Sequence, residues 1–175
     1  MDFFESWQPP LGSFSGPRID MDEPFGSIRT ALLGLPLSNV WHGHGSALFL
    51  EFGNLTERWR ADGTKGHSWG QISVGLEYDW RIEFGRKIAC GSGGNRDIWD
   101  AHLDPLRGAT AVDLSVFGRV AELCLDLSTG HRLLTFSLDE SGPEWALTDR
   151  RGSEDNWLFF EAGTIRSGNG RVARR

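Results

Sequence analysis

Residues 74–84 read VGLEYDWRIEF, a stretch in which apolar side chains alternate with glycine or charged residues over eleven positions. Successive side chains of a β-strand point to opposite faces, so the stretch predicts a strand with one apolar and one charged face. Such a strand belongs in an antiparallel sheet that has one face in the core and the other in water. Residues 74–84 therefore predict an antiparallel β-protein.

The rest of the chain carries the same kind of signal. Short apolar runs separated by turn residues predict about nine strands, and 23 glycines among 175 residues fit a chain with many turns. Residues 26–33 and 96–106 predict short helices. The predicted fold class is mainly β, either an antiparallel sandwich or a partly open barrel of about nine strands with one or two short helices.

The hairpin around residues 128–131 allows two registers. A two-residue loop places Leu125 opposite Leu134, whereas a three-residue loop places Leu134 opposite Cys124. A slip of one residue turns every side chain to the other face of the sheet, so the choice matters for the core. The hydrophobic pattern favours the two-residue loop.

Composition divides the chain into three segments. Residues 1–24 contain four prolines and two glycines and predict an extended N-terminal arm rather than a regular element. Residues 25–165 predict a single β-rich domain of ordinary size. Residues 166–175 are rich in arginine, glycine and serine and predict a flexible basic tail.

Charge and targeting signals bear on partners and location. The net charge is −6, which argues against a nucleic-acid partner because phosphates attract basic surfaces. No apolar run is long enough to span a bilayer, and the N-terminal residues do not form a secretory signal, so we expect no membrane partner and a cytoplasmic location. The glycine-rich run at 91–94 lacks the Lys-Ser/Thr of a phosphate loop, and we expect no cofactor.

The charged face of residues 74–84 is the first candidate site. Glu77, Asp79, Arg81 and Glu83 are neighbours on that face, about 7 Å apart if the strand is regular. Two carboxylates at such a spacing could form an acid–base pair, but Arg81 between them would keep both ionised. The four residues are therefore predicted to bind a ligand or a protein partner rather than to catalyse a reaction.

The second candidate is a metal site. His42 and His44 stand two residues apart, so on a strand both imidazoles would point to one side, and Glu51 is the nearest carboxylate. The carboxylate spacing does not match the cupin pattern, and the glycines on both sides of His44 suggest a turn. A hairpin tip with exposed imidazoles is the alternative interpretation.

Several short sequence segments resemble segments of small β-rich bacterial proteins of unknown function, some of which are encoded near toxin–immunity loci. They are GSALFLEFG at 45–53, YDWRIE at 78–83, GRVAEL at 118–123, STG at 128–130 and PEWAL at 143–147. The resemblance covers residues 36–162 and implies a bacterial protein of the immunity type, without implying an activity or any site residue.

Three functions follow as hypotheses. The first is a non-catalytic binding or interaction module that takes a protein partner, because no complete catalytic set is present and an acidic surface steers basic partners. The second is an enzyme that depends on a metal or a small ligand and has its site in a β-barrel. The third is a structural homo-oligomer, for example a homodimer formed through unpaired strand edges.

Overall fold

The computed structural model describes residues 23–60, 62–138 and 143–170. Two short 3₁₀ turns, Arg96–Ile98 and Asp104–Leu106, flank the second of two α-helices. The helices and strands are, in chain order, α1 Glu23–Leu32, β1 Leu37–His42, β2 Leu48–Phe52, β3 Ile72–Leu76, β4 Trp80–Phe84, β5 Lys87–Gly91, α2 Trp99–Leu103, β6 Ala111–Phe117, β7 Glu122–Leu127, β8 His131–Thr135, β9 Pro143–Asp149, β10 Asn156–Glu161 and β11 Thr164–Asn169.

The strands form two antiparallel sheets that do not close on themselves. The first sheet has the order β1-β2-β3-β9-β10-β11 and the second the order β5-β4-β8-β7-β6. Apolar side chains from both sheets meet in one core, which includes Leu50 and Trp145 from the first sheet and Ile82 and Leu125 from the second. The predicted mainly β, antiparallel fold class is confirmed. The open sheets with a shared core select the sandwich, and the strands described number eleven rather than about nine.

The stretch 74–84 is two strands rather than one. Strand β3 ends at Leu76 in the first sheet, and β4 begins at Trp80 in the second. Residues 77–79, which we call the crossover, carry the chain from one sheet to the other. The alternation holds at Val74, Leu76, Trp80 and Ile82, which point into the shared core from different sheets, and it fails at Tyr78 and Phe84, which are 43% and 54% exposed.

The register predicted for the hairpin at 128–131 is wrong. Leu125 pairs with Leu133 and Cys124 with Leu134, which is the three-residue loop. Gly130 has a φ of 82° and donates its N–H to the Leu127 carbonyl at 2.9 Å. A three-residue hairpin needs one residue in the left-handed region, and glycine adopts that conformation without a steric cost. The backbone of the turn thus decides the register against the apparent hydrophobic pattern.

The segment boundaries also differ from the sequence analysis. Residues 1–22 of the predicted N-terminal arm lie outside the described residues, and α1 begins at Glu23. Helix α1 packs Phe25, Ile28 and Leu32 into the core, between the two sheets. At the other end, β11 pairs residues 164–169 with β10, so part of the predicted flexible tail is a strand. Residues 171–175 lie outside the described part of the chain.

The predicted helix 96–106 is a succession of short helical turns. Asn95 caps the first of them through its side chain, and Pro105 lies in the last. Trp99, Leu103 and Leu106 are buried and keep the apolar spacing that the sequence predicted. In the described residues, we find no helix whose length and apolar character would let it cross a membrane.

Candidate functional site

The crossover holds two of the four predicted partner-binding residues. Its backbone is fixed on both sides, because the Glu77 N–H donates to the Glu144 carbonyl at 3.1 Å and the Phe136 N–H donates to the Asp79 carbonyl at 3.0 Å. The Glu77 and Asp79 side chains are half-buried. Tyr78 stands between them with 43% of its surface exposed.

The carboxylates of the crossover have no counter-charge in the described parts of the chain. No Lys, Arg or His nitrogen there lies within 4.0 Å of Glu77 or Asp79, and neither side chain accepts a hydrogen bond. Burial raises the pKa of Glu77 above its ordinary value. Among the described residues, no cation therefore compensates the negative charge of the crossover.

The other two predicted residues, Arg81 and Glu83, lie on the outer face of β4. Arg81 donates to Glu83 through Nε at 2.6 Å, and its guanidinium lies 5.1 Å from the centre of the Phe136 ring. Their charges therefore cancel locally. The structure divides the predicted site into an ion pair on β4 and an acidic crossover that has no cationic partner in residues 23–60, 62–138 and 143–170.

The three predicted metal ligands are not brought together. His42 ends β1 with its Nε2 3.3 Å from a carboxylate oxygen of Asp100. His44 is exposed in the β1–β2 turn, while Glu51 is 1% exposed. Across residues 23–60, 62–138 and 143–170, no three His, Cys, Asp or Glu side chains are grouped so that they could hold a metal ion. The metal site stays a prediction from the sequence.

The two cysteines offer no activated nucleophile. Burial raises the pKa of the Cys90 thiol to about 11, and burial also raises the pKa of Cys124. A thiol with a raised pKa is a poor nucleophile at neutral pH, because the reactive form is the thiolate. This agrees with a structural role for both residues.

Residues 54–60 and 62–70, which we call the β2–β3 loop, fold back onto the outer face of the first sheet. Backbone hydrogen bonds of 2.7 and 3.0 Å between Thr56 and Trp69 close its base. Near its tip, the Arg60 N–H donates to the Thr64 carbonyl at 2.8 Å. This mostly polar stretch thus forms an irregular hairpin that is attached to the sheet.

Glu51 anchors this loop. Its carboxylate accepts hydrogen bonds from the Trp41 indole N–H at 3.0 Å, from the Gly70 N–H at 2.9 Å and from the Ser73 hydroxyl. The guanidinium of Arg150 lies 3.7 Å away. The carboxylate oxygens of Glu51, which the sequence suggested as a metal ligand, therefore accept hydrogen bonds from groups inside the protein.

Cation–π contacts and aromatic stacking also attach the loop to the sheet. The guanidinium groups of Arg58 and Arg150 lie 4.6 and 4.7 Å from the centre of the Trp69 ring. His67 stacks on Trp41 with the ring centres 4.5 Å apart. Burial lowers the pKa of His67, and the charges of Arg60 and Arg58 lower it further.

In the segment Arg58-Trp59-Arg60, Arg58 is half-buried over Trp69, while Trp59 and Arg60 are exposed. Trp59 is 63% exposed, the most exposed aromatic side chain of those described. Within the described ranges, neither arginine has a carboxylate within 4.0 Å. Sequence reasoning missed this segment, although a tryptophan between two arginines in an otherwise polar stretch was the available signal.

Comparison of the chain with protein-family models, curated proteins and solved structures gives no match.

Proposed function

We propose that this protein is a non-catalytic interaction module that binds a basic protein partner at its acidic crossover. The supporting observation is that Glu77 and Asp79 flank the exposed ring of Tyr78 and have no cationic partner among the residues described. A carboxylate that is half-buried without a counter-charge carries a desolvation cost, which a cation from a partner would offset.

The residue types at the crossover are suited to protein recognition. Tyrosine brings a large apolar contact area and a hydrogen-bonding hydroxyl to an interface. Carboxylates bind guanidinium groups with short, charge-assisted hydrogen bonds. The net charge of −6 would also accelerate the approach of a basic partner. In the immunity-type version of this hypothesis, the partner is a basic toxin such as a nuclease.

The test exploits the fact that Tyr78 is the single tyrosine of the chain. Incorporation of 3-fluorotyrosine gives one ¹⁹F resonance, which reports on the crossover directly. We expect titration of the full chain with a hexa-arginine peptide to shift this resonance in a saturable manner. We also expect an uncharged glycine–serine peptide of the same length to leave the resonance in place.

The matched control compares two variants that each lose two negative charges. Glu77→Gln combined with Asp79→Asn should weaken hexa-arginine binding by about tenfold or more, because each variant side chain loses a charge-assisted contact. Glu154→Gln combined with Glu161→Gln should bind like the wild type. An equal response of the two variants would attribute binding to net charge alone and would overturn the proposal.

A further inference from the structure

We propose that the partner of the crossover is a second copy of this chain, which presents its basic segment Arg58-Trp59-Arg60 although the chain as a whole has a net charge of −6. This inference depends on the proposed function, because it places the partner at the same acidic site. It goes further by naming the residues that dock there and the symmetry of the complex.

The two segments are complementary residue by residue. One has an exposed tyrosine between Glu77 and Asp79, and the other has an exposed tryptophan between two arginines. Both pairs of charges lack counter-ions within the described ranges. In contact, the aromatic rings would pack together while carboxylates and guanidinium groups pair beside them. Tyr, Trp and Arg are the residue types that dominate the binding energy of protein interfaces.

The presence of both segments on one chain favours a twofold arrangement. His67 of the β2–β3 loop stacks on Trp41, and Trp41 lies in the row of paired residues Trp41–Phe49–Gly75, next to the end of β3 from which the crossover leaves. A twofold axis that brings one loop to the partner's crossover also brings the partner's loop to the first crossover, so that one association forms the same contact twice.

The loop is preorganised for such a contact. Its base is held by the buried Glu51 carboxylate and by Trp69, which lies between two guanidinium groups. A segment that is ordered before binding loses less conformational entropy when it docks. Trp59 can therefore remain exposed on a supported hairpin in the single chain.

A second basic segment, Arg86-Lys87 where the β4–β5 turn meets β5, provides the matched control. These two residues also lack a carboxylate partner within the described ranges, but no aromatic residue lies between them. The carboxylate–aromatic–carboxylate order of the crossover is thus matched by the β2–β3 loop and not by this turn. We expect the turn to be dispensable for self-association.

The experiment is a charge swap in the full chain, followed by sedimentation equilibrium at concentrations up to about 100 μM. One variant carries Glu77→Lys and Asp79→Lys, and the other carries Arg58→Glu and Arg60→Glu. We expect the wild type to dimerise and each variant alone to be monomeric, because both contacts of a homodimer then join like charges. An equimolar mixture should recover the dimer, because the heterodimer again pairs opposite charges at both contacts.

Recovery in the mixture also shows that both variants are folded. The Arg86→Glu, Lys87→Glu control should dimerise like the wild type. A monomeric wild type, or variants that still dimerise alone, would overturn the inference. If the wild type is monomeric but the ¹⁹F resonance of Tyr78 still responds to hexa-arginine, the proposed function stands and only the identity of the partner is wrong. Loss of both signals would reject the proposed function as well.

Discussion

Replacement of Glu51 with alanine is expected to destabilise the protein strongly, because the carboxylate joins the β2–β3 loop to the sheet. The side chain is 1% exposed and accepts hydrogen bonds from Trp41, Gly70 and Ser73. Its removal leaves these donors without their acceptor and Arg150 without its nearest carboxylate. A buried donor without a partner costs about 1–3 kcal/mol, and breaking a buried ion pair costs about 3–5 kcal/mol in total.

These contributions overlap, so we expect Glu51→Ala to lower the free energy of unfolding by about 3–5 kcal/mol. Glu51→Gln keeps one acceptor oxygen but lacks the charge that faces Arg150, and it should cost about 2 kcal/mol. Such losses are a large part of the roughly 5–15 kcal/mol that is the typical free energy of unfolding of a folded domain. If the wild type has a free energy of unfolding near about 5 kcal/mol, some of the Glu51→Ala protein should be unfolded even without denaturant.

The assay is urea unfolding followed by tryptophan fluorescence, with Glu154→Ala as the control for loss of an exposed carboxylate. The control should stay within about 0.5 kcal/mol of the wild type. Trypsin provides a local readout, because Arg58, Arg60 and Lys65 lie on the loop and should be cleaved faster in Glu51→Ala. A loss of less than about 1 kcal/mol, with unchanged cleavage, would refute the reasoning that Glu51 anchors the loop.

Two further predictions concern the crossover and the hairpin at 128–131. Burial raises the pKa of Glu77 in the folded state, so its charge costs stability at neutral pH, and this cost disappears as pH falls through the folded pKa. Glu77→Gln should therefore melt at a higher temperature than the wild type at pH 7, and calorimetry at lower pH should show the difference shrinking; a difference that grows would contradict this. Gly130→Ala should lose about 1–2 kcal/mol in urea unfolding, because alanine is strained at a φ of 82°. Gly93 has open space around it and no positive φ, so Gly93→Ala should leave the free energy of unfolding unchanged. Equal losses of stability in both variants would rule out backbone strain as the cause.

Much of the fold could be predicted because it depends on local periodicity. The alternation in residues 74–84 correctly assigned Val74, Leu76, Trp80 and Ile82 to the core. Such patterns are local, since each side chain's face depends only on its neighbours along the strand. Turn residues likewise marked most strand ends.

The predictions from sequence that were wrong concern which strand segments pair with each other and in which register. The buried residues of the stretch 74–84 alternate whether it is one strand or two, because both sheets direct these apolar side chains into one core. The register of the 128–131 hairpin depended on the backbone of Gly130 rather than on the apolar pattern. In both cases the deciding interaction is a backbone hydrogen bond whose partner the side-chain pattern does not specify.

The candidate site shows the same division. Sequence alone determined that the protein is an antiparallel β-domain with Glu77 and Asp79 beside a tyrosine, because these are properties of neighbouring residues. Only the tertiary structure decided that Glu83 is paired with Arg81, whereas Glu77 and Asp79 have no cationic partner in the part of the chain that the structure describes. It also decided that Glu51 is buried beneath a loop that folds back onto it. Ion pairing and burial depend on which distant segments the folded chain brings together, and the conformational preferences of neighbouring residues do not specify those contacts.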